Sequence, residues 1–347
     1  MTDDAPGQHM RAEIAAQPEV FAAITARQAE IAQVAAVLAD RSPRFVLLAA
    51  RGSSDHAALY AKYLIEVLLE LPAGLVSAST TTLYGAKPDL SDVLYLAVSQ
   101  SGGSPDLIEA THAARLQGAL TVAVTNNPGS PLNDAAELSV DIGAGKEIAV
   151  AATKTYSATL LALYLLIDSV RGGQGADAMN LPALAAEALS TMESPVEEAV
   201  ARYRYVERMV TTGRGYSSAT AAEGALKLAE TTYLAARAYS GADLLHGPVA
   251  AIDSDTGVVA ITSTGKGGDA MREVVSTVRQ RGADVLAVGS AAADMPASSR
   301  IILPNTPEEV APILEVLPLQ SLSLGLSLAR GGDPDNPRGL SKVTRTR

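Results

Sequence analysis

The chain has 347 residues, 48% of them apolar, with no cysteine, no tryptophan, two phenylalanines and a formal net charge of -11. That length suits two domains. The lack of cysteine excludes disulfides, thiolate metal sites and thiol nucleophiles, and acidity with few aromatics argues against a nucleic-acid partner. An acidic field gives a phosphorylated ligand no long-range attraction, so any phosphate site should be local, built from backbone amides and hydroxyls. His9, His56, His112 and His246 are far apart in sequence, with no pair at metal-ligand spacing, so no metal is expected.

Residues 1–22 read as a helical arm. The first ten are polar and acidic rather than basic and then apolar, so no signal peptide is expected and the reading is a soluble, cytoplasmic protein. The apolar run starting at Val46 ends in Arg51-Gly52-Ser53-Ser54, and a helical stretch Asp55–Leu71 follows. Leu94–Val98 ends in Ser99-Gln100-Ser101-Gly102, ahead of a helical stretch Ser104–Gln117, and Gly118–Val124 is a third apolar run. A Gly/Ala-rich segment, Arg171–Asn180, and a predicted helix over Leu181–Tyr203 lead into a second set. There Met209–Thr212 ends in Gly213-Arg214-Gly215-Tyr216-Ser217, before a helical stretch Ala219–Ala236. Val258–Ile261 ends in Thr262-Ser263-Thr264-Gly265, and Gly282–Val288 closes the series. The three pairs keep their order at a near-constant offset of 163 to 164 residues, which shared apolar composition alone would hardly produce. Ala311–Ala329 is apolar but interrupted by Glu315, Pro318 and Gln320, and reads as a buried helix, with no membrane partner expected.

Short β-branched runs alternating with helical stretches imply parallel sheets covered by helices on both faces. The expected fold class is α/β: two tandem doubly wound domains, flavodoxin-like α/β/α layers. The boundaries read as 23–170, a linker and helix over 171–194, a second domain over 195–334 and a tail over 335–347. In such sheets ligands sit at the carboxyl ends of the strands. The turns at Gly52-Ser53-Ser54 and Ser99-Gln100-Ser101-Gly102 occupy such ends, and each precedes a helix N-terminus, which favours a phosphate. The same residues would also serve as plain caps and tight turns. With fewer serines in the second half, one phosphate site per chain, in the first half, is the expectation.

From Ser99-Gln100-Ser101-Gly102-Gly103-Ser104 onward the sequence resembles the phosphate loop of the sugar isomerase (SIS) domain family. More specifically, it is similar to the isomerase half of glucosamine-6-phosphate synthases. The likeness extends from Glu13 to the C-terminus through Lys146–Lys154, Glu223–Glu230, His246-Gly247-Pro248 and Asp335–Lys342. The resemblance implies that Ser54, Ser99, Gln100, Ser101 and Ser104 hold the phosphate, joining Gly52 and Ser53 of the strand-end turn as candidate substrate-binding residues, and that Val150 and Ala151 contact the sugar. It implies Glu230 as the carboxylate that moves a proton between C1 and C2, supported by Lys227. His246 would assist ring opening, contributed to the neighbouring site of a homodimer, and Lys342 would form an imine with the keto sugar. These roles suit the residue types: a carboxylate can take a proton and return it, and a lysine amine can form a Schiff base. No cofactor is implied.

The chain begins Met1-Thr2-Asp3 and holds no cysteine, so glutamine hydrolysis by an N-terminal cysteine is not expected of it. Run toward ammonia release, the same residues give a glucosamine-6-phosphate deaminase/isomerase. Alternatives on the same scaffold are a galactosamine-6-phosphate deaminase, a fructosamine-phosphate deglycase or a non-catalytic sugar-phosphate-binding regulator. Gly103 and Ser104 stand where the family pattern has Glu and Thr, and Asp243 where it has Glu, which leaves epimer and linkage open.

Overall fold

The computed structural model describes residues 5–342. Two five-stranded sheets form, with every strand pair parallel. The first contains β1 (Phe45–Ala49), β2 (Ala73–Leu75), β3 (Val93–Ser99), β4 (Leu120–Thr125) and β5 (Leu138–Asp141). The second contains β6 (Arg208–Gly213), β7 (Ala235–Ser240), β8 (Thr256–Ile261), β9 (Asp284–Gly289) and β10 (Ser299–Ile302). Their orders are β2-β1-β3-β4-β5 and β10-β9-β8-β6-β7. Counted within each half, both are 2-1-3-4-5, the flavodoxin order, so the reading of two tandem flavodoxin-like domains holds. β4 and β8 are buried at every residue. That explains their continuous apolar runs, since a strand covered on both faces has no solvent side to mark by alternation.

The chain divides into two compact units. The first comprises residues 19–147, 154–179 and 341–342; the second comprises 5–18, 148–153 and 180–340. Within the first, helices Ser53–Leu68 and Pro105–Leu116 follow β1 and β3. The helix Lys154–Val170 is buried from Thr155 to Asp168. Within the second, Ser217–Thr232 and Lys266–Gln280 follow β6 and β8. Lys266–Gln280 buries Met271, Val274, Val275 and Val278, the spacing of one apolar stripe on an amphipathic helix. Helix Ala311–Ala329 is long and apolar enough to cross a membrane, yet 83% of that stretch is buried within the protein. It carries Glu315, Pro318 and Gln320 inside with it.

Three elements differ from the sequence reading. The predicted Leu181–Tyr203 helix is two helices, Leu181–Thr191 and Glu193–Tyr203. Pro195 explains the break: it lacks an N–H, and its ring clashes with the carbonyl of residue i-4, here Thr191. The stretch Ala219–Ala236 stops being helical at Thr232, because Tyr233 adopts a left-handed conformation (φ 60°) and Ala235–Ala236 open β7. The expected arm over 1–22, of which residues 5–22 are described, belongs to a series of helices that runs on past it, Gln8–Ala15, Gln17–Ala26 and Gln28–Arg41. The first of these is tied within the second unit by Asp335, whose carboxylate accepts from the His9 (2.9 Å) and Met10 (2.8 Å) amides.

Candidate active site

In the first unit, the turns after β1 and β3 stand at adjacent strand ends. Gly52 caps helix Ser53–Leu68 at φ 58°, a conformation that favours glycine, and Ser53 and Ser54 form its half-buried first turn. After β3, the buried Ser99 hydroxyl accepts from the Gly102 amide (3.1 Å). The Gln100 and Gly102 carbonyls accept from the Asn126 and Leu132 amides (both 3.1 Å), so the following loop pins this one. Gly102 is at φ 62°, and a Cβ there would stand 1.9 Å from the Ser130 hydroxyl. Ser101 is half-buried, and Ser104 opens helix Pro105–Leu116 without spending its side chain on a cap. The two turns are locked together by Arg51, whose guanidinium pairs at 2.8 Å with Asp106, a 5% exposed carboxylate in the first turn of that helix. Burial raises the Asp55 pKa, opposed by the nearby His56 and Arg51. Hydroxyls, helix amides and one guanidinium converge here, a set suited to a phosphate.

Lys342, from the end of the described chain, lies in the same unit. Its ammonium pairs at 2.7 Å with Glu147, a carboxylate whose side chain is fully buried. Glu147 also accepts from the Thr155 amide (3.0 Å) and hydroxyl (2.7 Å) at the start of helix Lys154–Val170. Sequence reasoning gave Glu147 no role. The motif around it was visible, but its partner stands 195 residues away.

In the second unit, Glu223, Lys227 and Glu230 occupy one face of helix Ser217–Thr232, at spacings of four and three. Lys227 is 1% exposed, sits 3.5 Å from the wholly buried Glu223 and hydrogen-bonds to Glu230, which keeps 23% of its side chain exposed. A lone surface glutamate would be solvated and mobile; this one is tethered at the mouth of a buried ion-pair chain. Val150 and Ala151 lie in an irregular segment, half-buried and buried. His246 is exposed and ends the short helix Gly241–Leu245, its amide donating to the Ala242 and Asp243 carbonyls. Ser240 caps this helix, its hydroxyl accepting from the Asp243 amide (3.2 Å) and donating to the Asp243 carboxylate (2.7 Å). Among the described residues, no cluster of three or more His, Asp or Glu side chains could hold a metal ion.

Paired parallel α/β units with hydroxyl-rich turns at their switch points define the class: a doubled α/β protein of the sugar-isomerase kind. The chain belongs to the SIS domain family, whose pattern matches residues 41–169 and 203–330. It is 37% identical over 302 residues to a glutamine–fructose-6-phosphate aminotransferase (isomerizing) of Methanothermobacter thermautotrophicus, covering 86% of this chain and 51% of the relative. A protein of the same description from Pyrobaculum aerophilum is 35% identical over 346 residues, 96% of this chain and 57% of its own. The chain thus spans about half the length of the curated relatives it matches. Among solved structures, a Silicibacter pomeroyi protein assigned as a phosphosugar isomerase superposes with TM-score 0.85 at 34% identity, covering 94% of this chain and 99% of that one. A glucosamine-6-phosphate deaminase from Thermotoga maritima shares the fold at TM-score 0.80 and 22% identity, covering 97% and 100%.

Proposed function

We propose that this chain is an amino-sugar-phosphate deaminase/isomerase that converts glucosamine 6-phosphate and water to fructose 6-phosphate and ammonia. The observation that carries the reading is Glu230: a partly exposed carboxylate held by a buried lysine, which suits a group that takes a proton from one carbon and returns it to the next. The SIS family membership and the likeness to isomerizing aminotransferases supply the substrate class.

In this reading the turns after β1 and β3 hold the phosphate through Ser53, Ser54, Ser99, Gln100, Ser101 and Ser104, with Arg51 adding a local positive charge. Val150 and Ala151 contact the sugar. His246, supplied to the neighbouring site of a homodimer, assists ring opening to the aldehyde. Glu230 then takes the C2 proton and returns it to C1, leaving a hydroxymethyl group at C1 and an imine at C2. The Lys342 amine attacks C2 and expels ammonia. Water then hydrolyses the lysine imine to release fructose 6-phosphate and regenerate the amine. Glu147, in contact with Lys342, is placed to accept the proton that the ammonium must lose before it attacks.

The test is ammonia release from glucosamine 6-phosphate, with Glu230→Gln as control. Release by the parent and its loss in the variant support the reading. Binding without release sinks it, and galactosamine and fructosamine phosphates then identify the alternative substrate.

A further inference from the structure

The second unit repeats the strand order of the first, so the turns after β6 and β8 stand at the same switch point as those after β1 and β3. Thr264, Gly265, Lys266 and Gly267 answer to Ser101, Gly102, Gly103 and Ser104 in the repeat. Two amides of this turn are already taken by a carboxylate. Glu308 accepts from Lys266 N–H at 2.9 Å through Oε2 and from Gly267 N–H at 2.7 Å through Oε1. Its carboxylate therefore lies on the N-terminus of the 15-residue helix Lys266–Gln280, where a positive dipole end favours an anion. The fit is close on every side. A Cβ at Gly265 would stand 2.4 Å from Oε2, one at Gly267 would stand 2.7 Å from Oε1, and one at Gly215, in the turn after β6, would stand 3.7 Å from Oε1. Glu308 thus lies between both turns.

A second carboxylate fills the hydroxyl cluster beside it. Glu315, 1% exposed, accepts from the Ser217 (2.7 Å) and Thr220 (2.8 Å) hydroxyls at the start of the helix after β6. Ser263 in the turn after β8 hydrogen-bonds it as well, and Glu308 is close enough to repel it electrostatically. The first unit has its own carboxylate between fifth strand and last helix, Glu147, but directs it to Thr155 and Lys342 and not to the serine loop.

We propose that the second unit is an anion site whose anion is built in. Glu308 stands where a phosphate would bind, so this unit admits no sugar phosphate while Glu308 is present, and removing Glu308 creates a phosphate site. The one-site part of this proposal rests on the first unit's turns being the phosphate site; the gain on removing Glu308 does not. A phosphate dianion would otherwise have to displace the Glu308 carboxylate from the Lys266 and Gly267 amides it already holds.

Equilibrium dialysis with radiolabelled inorganic phosphate tests it. The parent should bind one equivalent per chain and Glu308→Ala two. Glu308→Ala with Lys266→Pro should return to one, because proline is tolerated at the first helical position but removes the amide. Two equivalents in the parent, or a folded Glu308→Ala that gains none, overturns the proposal. If the parent binds none and Glu308→Ala binds one, the first-unit reading fails while the built-in anion stands. Should Glu308→Ala not fold, Glu308→Gln keeps an acceptor oxygen without the charge. Phosphate should then raise its Tm more than the parent's, and an equal rise overturns the proposal.

Discussion

Replacing Lys227 by methionine would leave Glu223 buried with its cation gone. Removing one partner of a buried ion pair costs about 3–5 kcal/mol, so Lys227→Met should lower stability on that order in urea unfolding. Adding Glu223→Gln should recover much of the loss, which a merely poor fit of methionine would not allow. Glu230→Gln touches only the partly exposed end of the chain and should leave Tm within a few degrees while lowering turnover roughly 100-fold or more, the range of general acid–base catalysis. Glu315 offers a pH signature. Burial raises its pKa above the ordinary 4.5, against the opposing hydrogen bonds of Ser263, Ser217 and Thr220. The folded state therefore holds this proton where the unfolded chain has released it, so the linkage lowers stability as pH rises from 4.5 toward the folded pKa. Glu315→Gln cannot ionise in either state. Its stability relative to the parent should improve over that rise, and a pH-independent difference between the two proteins would refute the assignment.

At the scale of elements, the loop after β3 is set by backbone geometry as much as by its hydroxyls. Gly102→Ala would place a methyl against the Ser130 hydroxyl and force a left-handed conformation on alanine. The combined cost should be about 2–4 kcal/mol, with phosphate affinity lost as well. Ser130→Gly in the same chain should relieve the clash but not the backbone cost, so thermal melts should show partial rescue. The strands were legible in the sequence because β1, β3, β4, β8 and β9 are mostly buried runs rich in Val, Leu and Ala with turn signals after them, and β6 repeats their pattern with Met, Val and Thr. The end of helix Ser217–Thr232 was not legible, since it is set by Tyr233 at positive φ, and a tyrosine carries none of the signal that glycine gives at a helix end. The break before Glu193 was readable in principle from Pro195, but the apolar periodicity on either side obscured it.

At the scale of the whole molecule, the proposed homodimer has a functional test. Mixed chains carrying Glu230→Gln or His246→Ala should each be inactive alone and regain up to roughly a quarter of parental activity together, as random assortment of a two-fold dimer gives half mixed dimers with one intact site each. No recovery on mixing would mean that His246 acts within its own chain or not at all. The internal repeat, the doubled parallel α/β fold and the serine loop were written in local patterns: runs of burial, and glycine and hydroxyl turns. The partners were not. Lys342 meets Glu147 across 195 residues, Arg51 meets Asp106 between two turns, and Glu308 closes the second unit's helix terminus from 42 residues away. Local sequence determines which backbone groups are left unsatisfied at a strand end or helix start. Which charge arrives to satisfy them depends on how distant segments pack, and only the tertiary structure decided that Glu147 turns to Thr155 and Lys342 in one unit while Glu308 fills the turn after β8 in the other.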